Sequence, residues 1–253
     1  AVNRIVEALQ RGEKMTIYGD YDVDGVTAVS ILYLYLRDHG ADVSYYIPNR
    51  IGEGYGVSAS AVESLAAGGT KLIITVDTGI TATEEVERAR ELGVDFVITD
   101  HHECRAELPA AVAVVNPHRP DDTYPFKDLA GVGVIFKVMC ALEHALTQDP
   151  MIDCVRRLLE SYADLVAIGT IADVMPICGE NKIIVKLGLA MMENTERPGL
   201  IALFRAVSGT QDDRAKAKKR SKVSSGFIGY TIAPRINAAG RIRSASIAVE
   251  LFL

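Results

Sequence analysis

Met-Thr-Ile-Tyr-Gly-Asp-Tyr-Asp-Val-Asp-Gly, residues 15–25, is a short apolar run that closes on three carboxylates, Asp20, Asp22 and Asp24, at alternating positions. The run 15–18 predicts a β-strand and the apolar-rich stretch 26–36 a helix, which puts the three aspartates on the strand-to-helix turn. In an open parallel sheet that turn lies at the carboxyl edge, in the crevice where such folds place their ligands. Like charges this close repel, so the turn needs full solvation or a counter-charge such as a bound cation. A single aspartate ahead of a helix is ordinarily a cap. Three of them, alternating between apolar runs, point to metal.

Outward from this stretch the chain alternates. Residues 42–47, 72–76, 96–99 and 113–115 read as strands, and 58–67 and 83–92 as helices. Continuous Val/Ile-rich strands separated by helices indicate an α/β fold, a doubly wound parallel sheet of about five strands covered on both faces. After Asn116-Pro117 the strands stop, and helical stretches follow at 131–146, 152–171, 182–193 and 200–206, a helical subdomain packed on the sheet. The expected organisation is a catalytic domain over 1–207, with its sheet ending near 117, then a mobile basic loop over 208–225 and the end of the domain over 226–253. The loop carries Arg214, Lys216, Lys218, Lys219, Arg220 and Lys222, a run that fits a solvated loop and also a nucleic-acid backbone contact. Residues 244–253 read as the first turns of an apolar helix, with nothing later in the sequence for Ile247, Leu251 and Phe252 to bury against. With a first residue other than Met, this ending predicts an excised piece whose last helix leads to a second domain.

Composition narrows the class. A chain of 253 residues with 49% hydrophobic content has enough apolar side chains for a well-buried core. Cys104, Cys140, Cys154 and Cys178 are scattered without a C-x-x-C pair, which speaks against a zinc knuckle and a disulfide framework and for a reducing, cytoplasmic compartment. No apolar run reaches the roughly 18–20 residues of a membrane span. The formal net charge of −6 disfavours a general nucleic-acid coat protein. A cluster of metal-binding carboxylates would supply much of that deficit, so nucleic acid remains open as the partner of a local site.

Polar residues collect where the strands end. The strand 72–76 runs into Asp77-Thr78-Gly79 and the strand 96–99 into Asp100-His101-His102, so three strands deliver carboxylates or imidazoles to one sheet edge. One such end is commonly a cap or turn former; three in a row are hard to explain that way. Asp173, in Gly-Thr-Ile-Ala-Asp-Val-Met-Pro, follows a long apolar stretch and needs a partner. Oxygen and imidazole ligands without thiolates favour Mn²⁺ or Mg²⁺ over structural zinc. Carboxylates at this density suggest two ions, the pair used in phosphoester hydrolysis. Arg50, in a glycine-containing segment after the second strand, is a candidate phosphate contact, with a surface salt bridge as the plain alternative.

Gly-Asp-Tyr-Asp-Val-Asp-Gly, Val-Asp-Thr-Gly, Thr-Asp-His-His, Gly-Thr-Ile-Ala-Asp-Val-Met-Pro and Ala-Pro-Arg-Ile-Asn-Ala-Ala-Gly-Arg occur here in the order seen in the DHH phosphoesterase family, which the chain resembles over residues 16–253. Within that family it is most similar to the exonucleases specific for single-stranded DNA. The resemblance implies that Asp22, Asp24, Asp77, His101 and Asp173 are metal ligands, with Asp77 bridging, and that His102 lies beside the scissile phosphate. It also implies that Arg235, Asn237 and Arg241 contact phosphate. Tyr18 stands where many relatives carry a histidine, and Asp20 is the carboxylate that can compensate. The implied activity is 5′-to-3′ release of mononucleotides from single-stranded DNA in repair and recombination, assisted by a second domain that holds the strand. The alternatives within the family are hydrolysis of short oligonucleotides, cyclic dinucleotides or pyrophosphate, and a catalytically silent scaffold.

Overall fold

In a computed structural model of the chain, which describes residues 1–48, 56–208, 222–242 and 246–253, five strands form one parallel sheet. They are β1 (Met15–Gly19), β2 (Val43–Tyr46), β3 (Leu72–Val76), β4 (Asp95–Thr99) and β5 (Ala113–Val115), in the order β2-β1-β3-β4-β5. The order reverses between β1 and β3, and there the ends of two neighbouring strands open a crevice at the carboxyl edge.

Strand side chains alternate between faces, which decides how the sheet is covered. Met15 and Ile17 of β1, Leu72, Ile74 and Val76 of β3, and Val97 of β4 enter one apolar cluster with α2 (Val23–Asp38). Tyr18, Ile73, Phe96 and Ile98 enter a second cluster with α3 (Ala59–Ala67) and α4 (Thr83–Glu91). Every residue of β1 and β3 is buried, as strands covered on both faces require. The apolar stretch expected as a helix over 26–36 extends to Val23–Asp38, because Asp22 caps it three residues earlier. Asp24 therefore lies inside the first helical turn, and only Asp20 and Asp22 belong to the connection.

The remaining helices build on α2. These are α5 (Gly131–Thr147), α6 (Met151–Ala172), α7 (Gly179–Glu193) and α8 (Pro198–Ser208). α2 packs against both α5 and α6, which is why it is apolar nearly all round. The helical part therefore reaches the sheet largely through α2, and its core is continuous with the sheet's first cluster. A helix that the sequence reading leaves unnamed, α1 (Val2–Arg11), joins that cluster through Ile5 and Ala8. No helix among the described residues is long and apolar enough to cross a membrane. The four cysteines are unpaired.

After residue 221 come α9 (Ser225–Phe227), a π-helical turn (Ile228–Ile232), α10 (Ala233–Ile242) and α11 (Ser246–Phe252). The expectation that the last helix lacks cover needs correction. Phe252 is only 3% exposed and Leu251 packs on the main core, because α11 folds back onto α2 and α8; Ile247 alone of the three is exposed. The basic run 209–221 and Arg50 lie outside the described residues.

Candidate metal centre

The turn after β1 is built by its own carboxylates. Asp22 Oδ1 accepts the Gly25 backbone N–H at 3.0 Å as the α2 N-cap, and Asp20 Oδ1 accepts that of Tyr21 at 2.8 Å. A Cβ at residue 25 would stand 2.5 Å from the Asp20 carbonyl oxygen, so only glycine lets the helix start this close to the strand end. Asp24 leaves the opposite side of that first turn and meets α5 end-on. Its Oδ2 accepts the Gly131 N–H at 2.6 Å and its Oδ1 the Val132 N–H at 2.9 Å. A helix N-terminus offers unpaired N–H groups and partial positive charge, which fixes this buried carboxylate while leaving it further lone pairs.

β3 ends at Asp77, whose backbone turns into the left-handed region with φ 58°. Its carboxylate is buried, with 1% of the residue exposed. β4 delivers His101, whose Nε2 lies 3.1 Å from Asp77 Oδ1, 3.6 Å from Asp173 Oδ2 and 3.8 Å from Asp24 Oδ2. Asp173 caps the C-terminus of α6, and Val174 after it takes φ 59°, a conformation rare for a β-branched residue.

Asp77 Oδ1 and His101 Nε2 are both buried without a hydrogen-bond partner. Leaving one such atom unpaired disfavours folding by about 1–3 kcal/mol, and two that point at one another across carboxylates mark a place for a cation. Ligand atoms of Asp24, His101 and Asp173 lie within 4.8 Å of one another, as do those of Asp20, Asp22 and Asp77, and those of Asp77, His101 and His102. Asp77 and His101 each belong to two of these groups, so the donor set fits divalent ions held by hard oxygen and imidazole ligands.

The electrostatics agree with that donor chemistry. Burial first, and then Asp22, raises Asp20 to about 7. Burial with Asp22 likewise raises Asp173 to about 6. Burial pushes the Asp24 and Asp77 carboxyls well above the usual range, with Asp173 adding to the first and Asp24 to the second. Burial and the adjacent His102 hold His101 down near 4, so its ring is neutral and able to donate a lone pair. A cluster that resists charging without a counter-ion is what a cation would relieve.

His102 differs from its neighbour. Its Nδ1 lies 2.7 Å from Asp100 Oδ1, and this hydrogen bond raises its pKa; its side chain is 43% exposed. Burial raises Asp100 most strongly, but the hydrogen bond and charge of His102 together with the backbone N–H groups of Ile80 and His102 outweigh it and leave the carboxyl below its ordinary value. Asp100 also accepts the backbone N–H groups of Ile80 at 2.9 Å, His101 at 2.8 Å and His102 at 3.1 Å, tying the end of β4 to the loop after β3. Buried Asn116, at the end of β5, donates to the His102 carbonyl at 2.9 Å.

The structure thus brings together seven residues singled out in the sequence: Asp20, Asp22, Asp24, Asp77, His101, His102 and Asp173. Tyr18 points away, buried against α3 and α4 with its ring 5.2 Å from that of Tyr46, so Asp20 is the nearby carboxylate on that side. Arg235 is exposed on α10 and donates to the Thr231 carbonyl at 2.7 Å; among the described residues no ion pair joins it to the cluster. Asn237 is half-buried on the same helix, and the Arg241 side chain lies outside the described residues. Asp100, Asn116 and the start of α5 are the site residues the sequence reading does not assign. Asp100 is in view inside Asp-His-His, whereas no local signal marks Gly131 as the partner of a residue 107 positions earlier.

The DHH family, N-terminal domain, matches residues 14–170. Single-stranded-DNA-specific exonuclease RecJ of Bacillus subtilis (strain 168) is 46% identical over 253 residues, covering 100% of this chain and 30% of the relative. The protein of that name from Escherichia coli (strain K12) is 37% identical over 258 residues, covering 100% of this chain and 43% of the relative. A crystal structure of exonuclease RecJ bound to manganese superposes with a TM-score of 0.84 at 37% identity, covering 100% of this chain and 59% of the other. The chain therefore spans less than half the length of these two curated relatives.

Proposed function

Because the chain belongs to the DHH family, we propose that it is the catalytic part of a metal-dependent phosphodiesterase that hydrolyses single-stranded DNA from the 5′ end to mononucleotides, in the cytoplasm, in repair and recombination. The observation that carries this reading is the pair of buried, unpaired atoms Asp77 Oδ1 and His101 Nε2, which face one another beside Asp24 and Asp173. Asp20, Asp22 and Asp77 would hold one Mn²⁺ or Mg²⁺ and Asp24, His101 and Asp173 a second, with Asp77 between them. Manganese in the related exonuclease structure supports this choice of ion. Divalent ions in such a pair activate water and stabilise the charged oxygens of an in-line displacement.

The chain's own groups orient the substrate. His102, its Nδ1 tied to Asp100 Oδ1 at 2.7 Å and its side chain half exposed, is left with Nε2 to donate to a non-bridging phosphate oxygen. Arg50, Arg235, Asn237 and Arg241 take phosphates further along the strand. The catalytic domain is assigned to 1–207, the basic loop to 208–225 and the closing helices to 226–253. The other wall of the cleft comes from the part of the relatives that this chain does not span.

The test is release of mononucleotides from a 5′-phosphorylated single strand in Mn²⁺, beside the same sequence as a blunt duplex and beside a cyclic dinucleotide. Turnover of the single strand, absent with a chelator, is expected. Preference for the cyclic dinucleotide would reassign the substrate, and Mn²⁺ binding without hydrolysis of any of the three would make the chain a silent scaffold.

A further inference from the structure

The C-terminal end of α6, which carries Asp173, is covered by the π-helical turn. A carbon added at Gly229 would stand 3.5 Å from Ile171 Cγ2, two residues before Asp173. Ile228 and Ile232 of the turn and Ile236 of α10 are buried against the core, which turns the middle one of the three residues between the first two outward. That residue is Tyr230, 88% exposed. Among the described tyrosines it alone is exposed, and its side chain makes no hydrogen bond or ring contact with any described residue. A π-helical turn carries one more residue than the α-helix around it and recurs at functional sites. Here the turn sets an aromatic ring on the surface of a segment that packs on the helix ending at Asp173. Arg235, also exposed, holds its guanidinium against the carbonyl of Thr231, the residue next to Tyr230. Val174, the residue after Asp173, is 86% exposed.

An aromatic face beside a cation is the combination with which proteins hold single strands without reading sequence, the ring stacking a base and the cation meeting the adjoining phosphate. We propose that Tyr230 is a stacking platform for one base of the single strand, with Arg235 at the neighbouring phosphate, on the Asp173 side of the metal centre. The inference rests on the reading of single-stranded DNA as substrate. A duplex presents no free base face to such a ring, so the platform would also contribute to discrimination against duplex DNA.

The experiment measures affinity of the chain in Mn²⁺ for a phosphorothioate-linked oligothymidylate, whose backbone resists cleavage, and for an abasic strand of the same length and linkage. Tyr230→Ala is expected to weaken binding of the oligothymidylate about tenfold, Tyr230→Phe to bind within about twofold of the parent, and neither to change binding of the abasic strand. Because the ring is exposed, the fold does not depend on it. Unchanged oligothymidylate affinity in Tyr230→Ala, beside clear binding by the parent, would overturn the platform and leave the substrate reading intact. Equal weakening on both strands would also overturn it, since a structural or electrostatic role does not distinguish a base from its absence. A parent that binds neither strand would remove the platform together with the substrate reading.

Discussion

Asp77 combines a left-handed backbone with a buried carboxyl that lacks a hydrogen bond at Oδ1. Backbone strain of this kind disfavours the folded state by about 1–3 kcal/mol and persists only where the surroundings enforce it. In the metal-free chain the Asp77 charge is a further destabilising element, since burial and Asp24 both oppose ionisation. Asp77→Asn keeps the shape and tolerates the same φ, so it is expected to raise the metal-free melting temperature, by about 2–4 °C for each kcal/mol recovered, while abolishing Mn²⁺ binding. A lower melting temperature in chelator together with retained Mn²⁺ binding would contradict this. The pH response comes from the same groups. A carboxyl whose folded pKa is raised destabilises the fold as pH climbs from its unfolded to its folded value, so Asp20, at about 7, and Asp24 and Asp77, well above their ordinary value, recover stability on acidification. His101, depressed to about 4, withdraws stability only once the unfolded chain takes up its proton below about pH 6.5. Between about pH 8 and about pH 6.5 the metal-free melting temperature should therefore rise, and with saturating Mn²⁺ it should fall, because ligands must be deprotonated to bind. Parallel trends in chelator and in Mn²⁺, measured by calorimetry, would refute the assignment.

The start of α5 is the element on which the cluster closes. Gly131 sits where a Cβ would lie 2.5 Å from Asp77 Cβ, and its N–H holds Asp24. Gly131→Ala is therefore expected to destabilise by about 1–3 kcal/mol and to weaken Mn²⁺ affinity, although alanine is the better helix former. Gly133→Ala, two residues on in the same helix, meets only the Leu129 side chain, at 3.2 Å from Cδ2 and 3.4 Å from Cβ, and should cost far less than Gly131→Ala in denaturant titration. If both changes behave alike, α5 does not position the carboxylates. This contact also shows where the sequence stops being legible. The βα alternation, the parallel sheet and the convergence of three strand ends come from local patterns, namely apolar runs of strand length and the residues that terminate them. The pairing of Asp24 with Gly131 and Val132 does not, because nothing in either stretch encodes a partner so distant. α1 carries a signal that the sequence reading passes over: Val2, Ile5, Val6 and Leu9 recur at i, i+3, i+4 and i+7, and α5 receives that apolar stripe. α11 misleads because the cover for its apolar side chains lies on α2 and α8, far earlier in the chain, where no local pattern points.

At the scale of the molecule, one apolar cluster runs from β1 and β3 through α2, α5 and α6 to α11. The walls of the metal centre, the ends of β1, β3 and β4 and of α6, are thus parts of one packed body, and a distant core change should be felt as lost stability. Phe252, 3% exposed on α11, provides that check. Phe252→Ala is expected to lower unfolding free energy by about 3 kcal/mol, the low end for a buried aromatic, and a change under about 0.5 kcal/mol in urea titration would mean that α11 does not dock as described. The central claim is that strand ends β1, β3 and β4, with the end of α6, converge to hold divalent ions for phosphodiester hydrolysis. The most direct measurement is anomalous diffraction from crystals of the chain soaked in Mn²⁺. The account predicts two peaks about 3.5–4 Å apart, with Asp77 coordinating both, Asp20 and Asp22 on one side and Asp24, His101 and Asp173 on the other. Saturating Mn²⁺ with no peak between Asp77 and His101 would contradict it.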